Sequence, residues 1–153
     1  MKTSELKKLL LDTFGHLDDA KLLGLLMFGE ARGETDQGRI AVGSVVMERV
    51  DHRDWDGKTI KEICLMPYQF SCFLPNDPNF PKLKKIAEDW GNNVSPMLNN
   101  CHYLAKGLLS GVIPRDIFVT KNHCTQYKTI DCKVAWAEKM RKVATINRHE
   151  FYA

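Results

Sequence analysis

The chain has 153 residues, of which 44% are hydrophobic and 27% are charged, and its formal net charge is +3. This length is typical of one domain with a substantial core, and the composition excludes a disordered, fibrous or membrane-spanning chain. The mild charge is compatible with an anionic partner and does not by itself indicate one. We expect one catalytic domain over residues 1–153, with an N-terminal amphipathic helix in 1–16 and the core in 17–153.

The first third of the chain predicts three helices. Residues 1–12 alternate leucines with lysines at the spacing of a short amphipathic helix. Residues 17–31 are strongly apolar and contain the pair Asp18-Asp19, which is suited to capping a helix N-terminus. A third helix starts near Thr35 or Asp36, because the residues that follow are again largely apolar.

The middle of the chain begins with an irregular stretch. Residues 51–81 are rich in proline, asparagine and aspartate, and a loop this long is usually functional or packed by its own side chains. Helices are expected next over residues 82–91 and 96–110. Gly111 is expected to end the second of them.

The last third of the chain predicts a small β element. Residues 117–120 and the residues around His123 are typical of short strands or extended segments, and residues 136–141 of a helical turn. The whole pattern predicts an α+β fold that is mainly α-helical.

Glu30 lies at the end of an apolar run that is expected to be buried, with only Gly29 between them. The run is formed by Leu22, Leu23, Leu25, Leu26, Met27 and Phe28. Burial removes water from the charged carboxylate, so the pKa of Glu30 should rise and make this residue a general acid near neutral pH. Gly29 and Gly33 leave its surroundings without bulky side chains, so that a large substrate has access. On spacing alone, a solvated glutamate at a helix C-terminus is the alternative.

Four blocks of sequence, taken in order, carry a family resemblance. They are Phe28-Gly-Glu-Ala-Arg-Gly-Glu34 with Gly38-Arg-Ile-Ala-Val-Gly-Ser-Val-Val-Met-Glu-Arg-Val50, Ile63-Cys-Leu-Met-Pro-Tyr-Gln-Phe-Ser71, Asn122-His123, and Val134-Ala-Trp-Ala137 with Ile146-Asn-Arg-His-Glu-Phe-Tyr152. Together they resemble the SleB-type cell-wall hydrolases, which include spore-cortex-lytic enzymes and bacteriophage lysins. The resemblance covers roughly residues 20–152. It implies a lysozyme-like fold and an enzyme that cleaves the glycan strand of peptidoglycan between N-acetylmuramic acid and N-acetylglucosamine.

The resemblance implies that Glu30 is the catalytic residue. Lytic transglycosylases, which these enzymes resemble in activity, use one glutamate that protonates the glycosidic oxygen and then accepts a proton from the C6 hydroxyl, giving a 1,6-anhydro product. A two-carboxylate muramidase is the alternative, and its second carboxylate would be Glu34 or Asp36. Otherwise Glu34 has a structural or substrate-contacting role and pairs with Arg32 or Arg49.

Further substrate contacts are implied at the other blocks. Gln69 and Ser71 are suited to hydrogen-bond sugar hydroxyl or acetamido groups, while Phe70 packs beneath a sugar ring. His123, at the place where the family carries a Thr-His within a strand, orients a substrate group or lies behind the catalytic carboxylate. In the closing block, Tyr152 is the candidate to reach the cleft, and Trp136, His149 and Phe151 are expected to close the core.

Three departures from the family pattern affect the expected cleft walls. Cys124-Thr-Gln-Tyr127 stands where an aromatic pair commonly follows the strand histidine. Val134-Ala135 replaces a frequent proline, and Met47-Glu-Arg49 replaces a common Leu-Asn-Arg. Subsite preference therefore stays open, while Glu30 is unaffected.

The five cysteines are an odd number, so they are expected to be free thiols. The adjacent pairs Cys101-His102 and His123-Cys124 lack the ligand spacing of a zinc site, so we expect neither a metal nor a cofactor. Two other functional classes stay open. One is a Cys-His amidase or endopeptidase with Cys101 or Cys124 as its nucleophile, and the other is a non-catalytic module that binds cell wall or nucleic acid.

The expected partner is the peptidoglycan glycan strand. No motif for nucleic-acid binding is present, and the longest apolar run is too short for stable membrane insertion. We expect a monomer. The N-terminus lacks the pattern of a signal peptide, which predicts a bacteriophage endolysin that stays in the host cytoplasm until it is released to the wall.

Overall fold

The computed structural model describes residues 1–52, 55 and 57–153. Within them, the helices are α1 (Thr3–Phe14), α2 (Asp19–Ala31), α3 (Asp36–Asp51), α4 (Ile60–Cys64), α5 (Phe80–Glu88), α6 (Trp90–Asn93), α7 (Pro96–Ser110) and α8 (Ile117–Asn122). The strands are β1 (Gln126–Thr129), β2 (Lys142–Ile146) and β3 (His149–Tyr152), and short 3-10 helices form at Ser71–Phe73 and Ala135–Lys139. This architecture confirms the predicted α+β domain, which is mainly helical.

Helix α2 is the centre of the core. Every residue of its apolar run is buried, and α3, α4 and α7 pack around it. A Cβ atom on Gly24 would lie 2.9 Å from the His102 Cα, so glycine is needed for α7 to approach this closely. Helix α1 adds Leu6, Leu10 and Phe14 to the same core.

Side-chain caps set the ends of α2 and α3 where the sequence predicts them. The Asp18 side chain accepts a hydrogen bond from the Lys21 amide at the start of α2, and Thr35 accepts one from the Gly38 amide at the start of α3. Because α2 ends at Ala31, Glu30 and Glu34 lie on different elements.

The stretch of residues 51–81 is more ordered than the sequence predicts. It contains α4, whose N-terminal amide at Glu62 is capped by Thr59, and the 3-10 helix Ser71–Phe73. Aromatic rings pack it onto α1, with the Phe14 and Phe73 ring centroids 4.9 Å apart. The following helix also begins earlier than predicted, at Phe80.

The prediction of strands near residues 117–120 is wrong. Asp116 accepts hydrogen bonds from the amides of Phe118 and Val119 and so starts helix α8. His123 ends this helix with a positive φ of 54°. The capping aspartate outweighs the β propensity of the Ile-Phe-Val-Thr sequence.

The sheet is instead built from the last 28 residues of the chain. Its order is β1-β3-β2, all antiparallel, with Gln126 opposite Tyr152 and Ile146 opposite His149. Strand β1 is an edge strand that contacts α3, and its Tyr127 side chain reaches Glu30 at the end of α2. No helix formed by the described residues is both long and apolar enough to cross a membrane.

Candidate active site

A cleft of about 480 Å³ opens between the end of α2, the turn at Ser71 and strand β1. Its described lining is made of Glu30, Arg49, Tyr68, Gln69, Ser71, Leu74, Gln126, Tyr127, Lys128, Thr129, Cys132, Val134, Trp136 and His149. The cleft therefore brings together residues from five separate segments of the chain.

Glu30 lies at the base of this cleft with two hydroxyl donors. Its Oε1 accepts a hydrogen bond from the Tyr127 hydroxyl at 3.1 Å, and its Oε2 accepts one from the Ser71 hydroxyl at 3.4 Å. Loss of water on burial raises the pKa of Glu30 to about 7, and the negative charge of Asp77 adds to this effect. The two hydrogen bonds and the positive charge of Arg49 act in the opposite direction. The carboxyl group therefore holds a proton part of the time at neutral pH.

Gly29 explains how Ser71 comes so close to Glu30. A Cβ atom on Gly29 would lie 2.9 Å from both the Cβ and the Sγ of Cys72. The glycine thus lets the turn at Ser71 rest directly on α2, and the expectation that it leaves room for substrate is wrong. Gly33 has open space instead, with no atom of another described residue within 4 Å of a Cβ at that position.

Arg49 is a buried charged residue that lines the cleft. Its side chain is only 2% exposed and lies between the rings of Trp55 and Phe70, at 4.3 and 5.0 Å from their centroids. Its Nε donates to the Thr125 carbonyl oxygen at 2.7 Å, and its Nη2 donates to Gln126 Oε1 at 3.1 Å. Burial lowers the pKa of Arg49 to about 10, so the guanidinium remains charged at neutral pH.

Several predicted contact residues lie in the cleft, and others lie behind it. Gln69 and Ser71 line the cleft together with Glu30. Phe70 does not, because its ring is 2% exposed and faces Arg49 rather than solvent. Tyr152 is also buried.

The Tyr152 side chain lies behind Trp136 and is buried. Its ring packs edge-on against Trp136, with centroids 5.2 Å apart, and Trp136 lines the cleft. The expectation that Trp136 closes the core while Tyr152 reaches the cleft is therefore reversed.

Glu34 lies outside the described cleft lining. Its Oε1 accepts a hydrogen bond from the Arg148 amide at 3.0 Å and lies 3.0 Å from His149 Nδ1. These partners replace Arg32 and Arg49, which the sequence suggested. Glu34 thus ties the turn before α3 to strand β3.

His149 joins Glu34 to the cleft. Its ring packs edge-on against Tyr127, with centroids 5.2 Å apart. Its Nδ1 contacts Glu34 but has no well-directed hydrogen bond among the described residues. Burial lowers the pKa of His149, although the carboxylate of Glu34 acts the other way. We therefore treat His149 as neutral at pH 7.

His123 is not part of the cleft. Its side chain is 75% exposed, and its Nδ1 lies 3.3 Å from Glu48 Oε2. The prediction of a strand histidine near Glu30 is wrong here, because His123 ends α8. Strand β1 begins only at Gln126, three residues after His123.

Comparison with known proteins gives one family match. The sequence profile of the cell wall hydrolase family matches residues 33–152. The chain belongs to the cell wall hydrolase family. No curated protein and no solved structure matches it, so the lysozyme-like architecture and the bacteriophage origin stay predictions.

Membership in the family makes the chain a peptidoglycan-degrading enzyme, with peptidoglycan as its substrate. The matched region begins three residues after Glu30 and contains the rest of the cleft lining. The assignment of Glu30 therefore depends on the geometry of the site.

Sequence reasoning missed several residues of this cell wall hydrolase cleft. Tyr127 reaches Glu30 across a sequence separation of 97 residues, and nothing local to either residue indicates that contact. Arg49 did leave a signal, since it is a charge within the apolar pattern of α3. Tyr68 also left one, because it immediately precedes the predicted contact Gln69 in the sequence.

The cysteines of the hydrolase are all free, as predicted, and four of the five are buried. Burial raises the pKa of both Cys101 and Cys124 to about 11, so neither forms the thiolate that a nucleophile needs. This disfavours the Cys-His amidase. Among the described residues, no group of three or more His, Cys, Asp or Glu side chains is placed to hold a metal ion.

Proposed function

We propose that this cell wall hydrolase cleaves the bond between N-acetylmuramic acid and N-acetylglucosamine as a lytic transglycosylase, with Glu30 as acid and then base. One observation carries the proposal: among the described residues that line the cleft, Glu30 is the sole carboxylate. Two-carboxylate glycosidases need a second carboxyl group across the scissile bond, at roughly 5 to 9.5 Å. A mechanism with one carboxylate fits the cleft better.

The chemistry assigns two successive proton transfers to Glu30. Its carboxyl proton passes to the glycosidic oxygen as the bond from that oxygen to the muramic acid C1 breaks. The resulting carboxylate then takes the proton of the C6 hydroxyl while O6 bonds to C1 and closes the 1,6-anhydro ring. A pKa of about 7 suits both steps, because neither protonation state is strongly disfavoured.

The neighbours of Glu30 stabilise the ionised carboxylate that remains after the first proton transfer. Tyr127 and Ser71 both donate hydrogen bonds to the carboxylate oxygens, and the charge of Arg49 favours the ionised form. These contacts stabilise the carboxylate after it has given up its proton and keep it aimed at the cleft.

The two candidates for a second carboxylate that the sequence indicated, Glu34 and Asp36, lie outside the described cleft lining. Glu34 is held by His149 and the Arg148 amide. Asp36 is bound by Arg39 and Asn100 and does not line the cleft. Asp54 and Asp56 lie outside the described residues, and variants at both positions test them directly.

Mass spectrometry of the soluble products from purified peptidoglycan tests this proposal. We expect wild-type enzyme to give anhydromuramyl ends and Glu30→Gln to give none. Reducing ends would contradict the lyase reaction and indicate hydrolysis, and Asp54→Asn, Asp56→Asn and Glu34→Gln would then identify the second carboxylate. An intact glycan with cut peptide stems would contradict glycan cleavage altogether.

We further propose that the enzyme acts as a monomeric bacteriophage endolysin, held in the host cytoplasm until the membrane is permeabilised. The support is the family membership together with the sequence resemblance to phage lysins. Production in a bacterial cytoplasm should leave cells intact until an added membrane-permeabilising agent gives rapid lysis. Rapid lysis should be absent with Glu30→Gln. Lysis without the agent would contradict the proposed confinement.

A further inference from the structure

Gln126 is held in one orientation by the buried Arg49. The guanidinium is fixed between two aromatic rings and by its hydrogen bond to the Thr125 carbonyl oxygen. Its Nη2 donates to Gln126 Oε1 at 3.1 Å. A guanidinium has only donors, so the oxygen of the Gln126 amide must face Arg49 and the amide nitrogen must face away.

The amide nitrogen of Gln126 is available to a ligand. Gln126 lines the cleft, and its Nε2 donates to no acceptor in the part of the chain that the structure describes. Its neighbour Tyr127 holds the carboxyl group of Glu30. Because Gln126 and Glu30 line the same cleft, a glycan strand bound there can contact both.

The substrate offers two kinds of acceptor to this donor. A sugar hydroxyl both donates and accepts, whereas an acetamido carbonyl oxygen only accepts. Because its own oxygen is committed to Arg49, Gln126 cannot turn to accept from a hydroxyl. A fixed donor matches the acetamido carbonyl oxygen, which only accepts. A hydroxyl can accept the same hydrogen bond, but its own O–H gains no partner from Gln126.

We propose that Gln126 is a specificity-determining residue, whose Nε2 donates to the acetamido carbonyl oxygen of an N-acetylated sugar bound beside Glu30, with Arg49 as the positioning residue. The inference rests on the proposed function, because it requires a glycan strand in this cleft. It assigns the selection of N-acetylated over plain sugars to one amide group.

Equilibrium binding of two neutral oligosaccharides tests the inference. Chitotetraose carries acetamido groups, and cellotetraose has the same β-1,4 backbone with hydroxyl groups in their place. Isothermal titration calorimetry in a Glu30→Gln background prevents cleavage during the measurement. We expect this parent to prefer chitotetraose.

Substitutions at Gln126 should remove that preference. Gln126→Met keeps the length of the side chain but has no donor, and we expect it to weaken chitotetraose binding about tenfold, the effect of one lost hydrogen bond to a bound ligand. Cellotetraose binding should stay within about twofold on the same reasoning. Gln126→Glu keeps an acceptor for Arg49 but loses the donor, so it should lose chitotetraose affinity as well.

Gln37→Met is the matched control, because Gln37 is exposed on α3 and does not line the cleft. It should bind both oligosaccharides like the parent. Thermal unfolding of each variant checks the fold, and Gln126→Glu decides the question if Gln126→Met does not fold.

Three results would overturn the inference: a parent that does not prefer chitotetraose, a Gln126→Met variant that keeps the preference, or equal losses for the two oligosaccharides. The product analysis separates this failure from failure of the proposed function. If the wild-type enzyme gives reducing ends and Gln126→Met still abolishes the preference for chitotetraose, the lyase reaction is rejected and the role of Gln126 stands. If the wild-type enzyme gives anhydro ends and the parent shows no such preference, the lyase reaction stands and the role of Gln126 is rejected.

Discussion

Glu30 and Glu34 occupy two neighbouring regions, the last turn of α2 and the turn that leads into α3. Glu30 has lost water and receives hydrogen bonds from two hydroxyl groups, and its pKa is raised to about 7. Glu34 does not line the cleft, and it contacts His149 and the main-chain amide of Arg148. Two glutamates four residues apart thus have different surroundings: burial raises the pKa of Glu30, whereas His149 and the Arg148 amide hold Glu34.

The largest expected difference between Glu30 and Glu34 is in catalytic activity. Glu30→Gln should lower the initial rate of dye release from labelled peptidoglycan by about 100- to 10,000-fold, the usual effect of losing a general acid. Glu34→Gln should lower it by less than about tenfold, because the amide still accepts from Arg148 and only the positioning of His149 is weakened.

Losses of equal size in the two variants would contradict this division of roles. They would indicate a second catalytic carboxylate at Glu34. Circular dichroism of both variants would confirm that each retains the fold.

Stability should respond to pH differently in the same two variants. The folded pKa of Glu30, about 7, lies above its ordinary value of 4.5. The free energy of unfolding therefore contains the full contribution of the protonated Glu30 carboxyl below pH 4.5. That contribution is lost as the pH rises through 7. Glu30→Gln should raise the free energy of unfolding at pH 8 by up to about 3 kcal/mol and change it little at pH 4.

Urea denaturation at pH 4 and pH 8 measures this effect. Glu34→Gln is the control, and it should lower the stability at pH 8 because it weakens a contact with the buried His149. An equal change for Glu30→Gln at both pH values would mean that its pKa is not raised.

A smaller effect is expected from the hydroxyl donors. The Tyr127 hydrogen bond lowers the pKa of Glu30, so Tyr127→Phe should raise that pKa and move the alkaline limb of the kcat/KM profile to higher pH. The rate at neutral pH should fall a few-fold, consistent with loss of one hydrogen bond. Ser71→Ala should act in the same direction and less, since its contact is longer. A limb that stays in place or moves to lower pH would contradict the geometry.

The sequence predicts the helical part of the fold well, for local reasons. Aspartate, threonine and serine caps begin α2, α3 and α7, and Gly111 ends α7 with a positive φ of 81°. The buried run of α2 also predicts the direction of the Glu30 pKa. These features depend on residues close together in the chain.

The rest depends on contacts between distant segments. The three strands are four or five residues long, too short for a clear alternating pattern. Phe70 and Trp136 are both aromatic, and only the packing of Arg49 and Tyr152 decides which of the two faces the cleft. A single sequence carries no signal for such pairings.

The role of Glu30 as proton donor is tested by a pH titration of its carboxyl group by NMR, with carbon-13 in the glutamate side chains and Glu30→Gln to assign the signal. We expect a pKa of about 7 for Glu30. A pKa near the ordinary value of 4.5 would contradict this role, because Glu30 would then lack a proton to donate at neutral pH.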